Sequence, residues 1–331
     1  MPLTIPYVIT VDTEEEWDWS AGYPTGPTQV TNIARLPHFQ EICERYGATV
    51  TYFVNHAVLA NAAAREVIQQ LAQRPQVEIG MHIHPWNTPP LQAVDRVRVR
   101  DSFLHNLPTD WATAKLETVY RAFREAGLQP VSFRGGRYST SPVIQQWLRE
   151  HGFVADASIL PFTTWADDGA PDYRHRDLFP VRCAGQPPLW ELPLSLGYTR
   201  RPFAFWRRVH AAAAGPLRPL RGVAVLAKLG IVEKVWLNFE NPLGEQMGKL
   251  CQILTRMGVP YLCFTMHSSS LLPGGSPYAP NPSAVERLFR KLETTLEYLS
   301  HNRHFRPATI KAIAGHLENE YYARDRHQPV G

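Results

Sequence analysis

Residues 78–86 read EIGMHIHPW, an apolar run that ends in two histidines one residue apart, His82 and His84. Residues 8–19 read VITVDTEEEWDW, a second apolar run that ends in Asp12 and three glutamates. Short runs dominated by Val, Ile and Met suit strands buried on both faces, as in parallel sheets. In such a sheet, polar residues at the carboxyl ends of successive strands face one common edge. The two stretches therefore pose one question: whether Asp12, Glu14, His82 and His84 share a site.

The rest of the chain repeats the pattern. Strands are expected at 7–11, 49–54, 77–81, 131–134, 154–156, 189–192, 235–239 and 261–265. Helices are expected at 31–46, 62–73, 109–126, 142–151, 244–257 and 283–300. Ile33, Leu36, Phe39 and Ile42 fall on one helical face before Gly47, and Ser141-Pro142 is a helix start. Alternating strand and helix units predict an α/β protein with a parallel sheet, and seven or eight such units favour a closed barrel over an open sheet. One domain over 1–300 is expected, with a helical excursion near 200–230 and a polar, peripheral tail over 301–331.

Bulk properties exclude some functions. The 331 residues are 44% hydrophobic, enough for a sizeable core. A net charge of +4, spread along the chain, gives no nucleic-acid footprint. The densest basic stretch, residues 200–221, reads RRPFAFWRRVHAAAAGPLRPLR. It suits contact with a membrane surface or an anionic glycan, although a solvated helix face at the domain edge is the simpler reading. Cys43, Cys183, Cys251 and Cys263 have no paired spacing and read as buried free thiols. The start MPLTIPYVIT lacks a basic leader, and no window approaches the ~18 apolar residues of a membrane span, so a cytoplasmic location is expected.

Chemistry collects at the strand ends. Asp12 and Glu14 follow the first strand, His82 and His84 the third; Arg134 and Asp156 end later strands, and His267 follows the last. Residues i and i+2 of an extended chain point the same way, so one ion can reach both His82 and His84. A carboxylate closing an apolar strand needs a partner, although Glu14–Glu16 also reads as an exposed acidic loop. Two imidazoles and one carboxylate leave open positions on a divalent cation, as in catalytic sites. Zinc fits these donors best, with cobalt, nickel or iron as other candidates. Either Glu14 or Asp12 can be the carboxylate ligand; the other is then the base. The Gly135-Gly136 pair suggests backbone kept clear for an approaching group. Trp17, Trp19, Trp86 and Tyr278 are placed to line the mouth of such a site.

These stretches resemble the five motifs of the polysaccharide deacetylases, carbohydrate esterase family 4: TVDTEEEW (10–17), EIGMHIHP (78–85), FRGGRYS (133–139), DASI (156–159) and TMHSSSL (265–271). The resemblance implies a distorted (β/α) barrel and a metal-dependent hydrolase that removes an N-acyl group, N-acetyl foremost, from an amino sugar. It implies Asp12 as general base, His82 and His84 as ligands, and Arg134 as the residue that holds and orients Asp12. It implies His267 as general acid tuned by Asp156. Trp86, Arg137, Tyr138 and Tyr278 are the expected substrate contacts from their placement, with a backbone N–H near Arg137 or Tyr138 available to an oxyanion. Two departures stand out. The family pattern has adjacent aspartates where this chain has Asp12-Thr13-Glu14, and three residues between histidines where this chain has one. Glu14 is the natural substitute ligand, since it shares Asp12's side of the strand. The substrate would be a glycan or a lipid-linked or nucleotide-linked precursor. Other readings are a glycoside hydrolase using Glu191 and Glu240, a ring-amide hydrolase of the allantoinase type, and a non-catalytic glycan-binding module.

Overall fold

A computed structural model of the chain describes residues 4–26, 28–215, 221–240 and 244–325. Residues 216–220 of the expected excursion and 326–331 of the expected tail lie outside the described residues. In chain order the elements are β1 (Ile5–Thr13), β2 (Tyr23–Pro24), α1 (Leu36–Arg45), β3 (Val50–Val54), α2 (His56–Ala60), α3 (Ala62–Ala72), β4 (Val77–Ile83), β5 (Arg96–Val97) and α4 (Thr109–Glu125). They continue with β6 (Ser132–Gly135), α5 (Pro142–Glu150), β7 (Ala155–Asp156), β8 (Val181–Arg182), β9 (Trp190–Glu191), β10 (Leu196–Tyr198), α6 (Phe203–Ala214) and α7 (Gly222–Lys228). The last are β11 (Lys234–Trp236), α8 (Gly244–Met257), β12 (Leu262–His267), α9 (Pro282–His301), β13 (Phe305–Pro307) and α10 (Ile310–Asp325).

The sheet runs β12-β1-β3-β4-β6-β7-β9, all parallel, with β8 antiparallel at one edge and β13 beside β1. The gap between β9 and β12 is bridged by irregular chain. Leu237 N donates to Ser195 O, Thr265 N to Leu237 O, and Phe239 N to Thr265 O. The result is the expected distorted barrel of parallel strands.

Strand alternation sorts the side chains into two layers. Tyr7, Ile9 and Val11 of β1, with Met81 and Ile83 of β4, pack outward against α1, α3 and α4. Val8 and Phe53 point into the barrel, against Tyr261 and Cys263. Asp12 and His82 therefore continue inward-facing rows. The α1 helix begins later than its periodicity predicts, because Pro37 sits at the start of the α-helix and residues 31–35 form a tighter turn. All four cysteines are buried and free. Among the described residues no helix is long and apolar enough to cross a membrane.

The expected peripheral tail is a correction. β13 pairs with β1, and α10 plugs the amino-terminal end of the barrel with Ile310, Ile313, Ala314 and Leu317. Its first turn is held from inside the sheet: Ile310 N donates to Thr51 Oγ1 (3.2 Å) and Lys311 N to Glu78 Oε2 (2.9 Å). Polar composition hid this, since α10 carries its apolar residues among charges that face solvent. A carboxylate at a helix N-terminus complements the orphan amides there. Glu78→Ala leaves the Lys311 amide and the Ser132 and Thr51 hydroxyls without their buried acceptor. It is expected to cost about 2–3 kcal/mol in urea unfolding and to speed hydrogen exchange in the first turn of α10. Unchanged stability and exchange would remove Glu78 from this role.

Candidate functional site

The carboxyl ends of β1, β4, β6 and β12 meet at one mouth. Asp12 stands beside His267, and His82 beside Arg134, in the strand registers. Glu14 Oε2 lies 3.1 Å from His84 Nε2 and 3.6 Å from His82 Nε2, and the two Nε2 atoms are 3.1 Å apart. Two donors each about 2.1 Å from one ion, at 90–110°, are separated by about 3.0–3.4 Å. Two of the three spacings fall in this range and the third, 3.6 Å between Glu14 Oε2 and His82 Nε2, is slightly wider, so the three donors converge on one candidate cation position. The chemistry of the donors agrees: His82 Nδ1 donates to the Arg134 carbonyl (2.7 Å) and His84 Nδ1 to Glu15 Oε1 (2.8 Å), leaving both Nε2 lone pairs converging. Glu14 Oε1 is buried with no hydrogen-bond partner, an orphan acceptor that a cation would satisfy.

The three glutamates do not form an exposed acidic loop. Glu14 and Glu15 are 1% and 0% exposed. Glu14 faces the histidines; Glu15 backs His84 and is itself held by Asn55 Nδ2; Glu16 accepts from the Thr31 hydroxyl and the Asn32 amide group. Burial raises the Glu14 carboxyl, but His267, His84 and His82 outweigh it and hold the group well below the usual carboxylate range. Burial lowers His84, yet Glu15 and Glu14 bring it up to about 9. The glycine pair also has a different purpose from the one expected. A Cβ at Gly136 would lie 2.5 Å from the Ile83 carbonyl and 2.6 Å from the His84 ring, and one at Gly135 would strike the Ser139 carbonyl. The group that approaches this backbone is the candidate ligand His84.

Arg134 is fully buried and reaches across the barrel to Asp12, with Nη1 to Oδ1 at 2.6 Å. It stacks on Phe53, 4.4 Å from the ring centroid, and Phe53 fits only because position 80 is glycine: a Cβ there would sit 2.7 Å from the ring. Asp12 Oδ2 is left facing His267 Nε2 at 4.0 Å. His267 Nδ1 donates to Glu240 Oε2 (2.9 Å). Burial opposes a charged imidazole, but Glu240, Glu14 and Asp12 raise His267 to about 10.

The partner assigned to His267 needs correction. Asp156 bonds Thr140 and the Ser158 amide and lies beside Glu191, and burial raises it to about 6. Glu240 is the carboxylate on His267, with Ser270 behind it. Its signal in the sequence was only an acid at a strand end. Glu191 is engaged by Arg176 and Gln145, so the Glu191–Glu240 pair of the glycoside-hydrolase reading is not assembled around the pocket.

Above this floor lies a pocket of about 280 Å³ with largely aromatic walls. Trp17 and Trp19 stack at 4.9 Å; Trp19 meets His267 edge-on at 5.1 Å, and Tyr278 lies parallel to that ring. Trp86 lines the pocket but is 1% exposed and stacked on His84 at 4.0 Å, so most of its surface packs that imidazole. Arg137 and Tyr138 both reach the pocket from consecutive left-handed conformations, φ 53° and 60°. Such non-glycine backbone costs roughly 1–3 kcal/mol per residue and gathers at functional sites. Tyr173 and Ser102 hold the turn, through the Tyr138 carbonyl and the Arg137 guanidinium. Because Glu15 orients His84 from behind, Glu15→Gln is expected to weaken divalent-metal affinity about 10–100-fold. Competition with a chromogenic chelator measures this, and an unchanged affinity would exclude the role.

No protein-family model matches the sequence, and no curated protein matches it. Solved structures do. One from Mycobacterium smegmatis, named as a polysaccharide deacetylase, aligns with a TM-score of 0.55 at 16% identity, over 97% of this chain and 93% of its own. Another so named, from Pseudomonas aeruginosa PAO1, gives 0.53 at 15% identity, over 97% and 92%. The allantoinase PuuE gives 0.54 at 13% identity, over 96% and 91%. At these identities the likeness establishes architecture: this chain is built on the distorted (β/α) barrel of the structures named as polysaccharide deacetylases.

Proposed function

We propose that this protein is a divalent-metal-dependent hydrolase that removes an N-acyl group, N-acetyl foremost, from an amino sugar in a glycan or glycan precursor. One observation carries the reading. Three converging metal donors, a carboxylate with one committed and one free oxygen, and an imidazole with one committed and one free nitrogen share the floor of one pocket. Glu14, His82 and His84 would hold the ion. When bound, a divalent ion supplies Lewis-acid polarisation of a carbonyl and acidifies water.

The chain's own groups have separable roles. Arg134 occupies Asp12 Oδ1, so Oδ2 is the oxygen that takes the proton of the attacking water. His267 donates from Nε2 to the leaving nitrogen while Glu240 holds Nδ1. Water attack and amine protonation thus come from opposite partners, 4.0 Å apart. The aromatic walls offer flat faces to a sugar ring, and the volume, just below the ~300–1,000 Å³ usual for ligand pockets, suits one sugar unit. The likeness to an allantoinase makes a ring amide the second candidate substrate.

Release of acetate from a panel of N-acetylated sugars, with allantoin alongside, tests the reading. Chelation is expected to abolish activity and zinc or cobalt to restore it. Hydrolysis of none of these amides by metal-loaded protein would refute the proposal. Asp12→Asn and His267→Ala are each expected to lower kcat about 10²–10⁴-fold with metal content retained. Wild-type turnover in either variant would reassign that residue.

The pH dependence has a definite sign. A general acid works while protonated, so the rate is lost as pH rises through the His267 pKa. Glu240 is a main cause of the rise of that pKa to about 10. Glu240→Gln removes the charge and is expected to move the alkaline limb of the kcat profile to lower pH. A limb that stays in place would separate Glu240 from the acid.

A further inference from the structure

We propose that α6 and α7, with the described residues that flank them, dock on an anionic lipid surface. Between Glu191 and Glu233 the chain has no Asp or Glu. Arg200, Arg201, Arg208, Arg221 and Lys228 are exposed, and among the described residues none of them makes an ion pair. Elsewhere Arg45, Arg74, Arg174 and Arg182 each pair with a glutamate or aspartate. The excursion is therefore a segment of uncompensated positive charge.

Several of its apolar residues are exposed as well. The α7 segment reads GVAVLAK and has no buried residue. Leu229 is 66% exposed, Phe205 53% and Val225 47%. Leu226, Ile231 and Trp206 are turned toward the core and account for how the excursion is attached. Exposed aliphatic and aromatic side chains flanked by cations are the composition that settles at a lipid headgroup boundary. A second copy of this chain would bring like charges together, and an acidic polymer would leave Val225 and Leu229 without a function.

The placement supports the same occupant. The chain leaves the sheet past β9, and Ser195 is tied through Leu237 to Thr265, two residues before His267. β10 and β11 pair antiparallel, and Trp236 of β11 lines the pocket. Lys234 anchors the return by donating to the Phe162 carbonyl. A lipid surface bound to α6 and α7 would lie beside the mouth, where a lipid-linked amide could enter.

The test is co-sedimentation with vesicles and uses no activity readout, so it stands apart from the proposed hydrolase function. Wild-type protein is expected to bind phosphatidylglycerol-containing vesicles, to bind pure phosphatidylcholine weakly, and to release as ionic strength rises. Arg201→Glu/Arg208→Glu and, separately, Val225→Ser/Leu229→Ser are each expected to reduce binding about tenfold or more, with circular dichroism confirming the fold. No binding by the wild type, wild-type binding by both variants, or retention on heparin without vesicle binding would each overturn the proposal, the last in favour of an acidic glycan.

Discussion

The structure depends on one buried guanidinium. Arg134 crosses the barrel interior and donates to Thr10 and Asp12 of β1, Thr265 of β12 and the Ala157 carbonyl just past β7. A single side chain thus ties together strands that lie far apart around the sheet. Its own backbone carbonyl also accepts from His82 Nδ1, so the residue that positions Asp12 also orients a candidate metal ligand. Buried ion pairs rarely add net stability over apolar packing, but losing one partner typically costs about 3–5 kcal/mol because a charge is left unpaired. The pair is best understood as the means of keeping a carboxylate at a fixed place in a dry barrel.

The same logic runs through the mouth. Asp12, Glu14, Glu15 and Glu240 are all buried within a short distance of one another, a concentration of negative charge that needs cations. Arg134 answers Asp12, and His267 answers Glu240. Glu14, His82 and His84 are left with converging lone pairs and an orphan oxygen. Each imidazole has one nitrogen committed to a backing acceptor and one directed inward, which sets its tautomer. Aromatic side chains then surround the site: Trp86 packs His84 and Trp19 packs His267, so rings that line the pocket also restrain the polar groups beneath.

The excursion is built on different terms from the barrel. Its inward residues are few and its outward surface is apolar and basic, while the barrel presents the usual mixture of paired charges. Trp236, on the strand by which it returns, lines the pocket. The glycines in β4 and just past β6 show the opposite extreme. Gly80 and Gly136 sit where any Cβ would strike Phe53 or His84, a consequence of dense packing directly under the site.

By itself the sequence determined the parallel strand and helix order, the rows of inward-facing residues, and the grouping of Asp12, Glu14, His82, Arg134 and His267 at one end. Those features follow from local periodicity and from the rule that parallel strands share a carboxyl edge. Only the tertiary structure decided which buried carboxylate supports which histidine. Glu15 and Glu240 took those places and Asp156 did not, because the choice depends on how strands and loops distant in the chain come into register. It also turned an apparently polar tail into the plug of the barrel, since Glu78 inside the sheet completes the first turn of α10, a contact between residues 233 apart that no local pattern encodes.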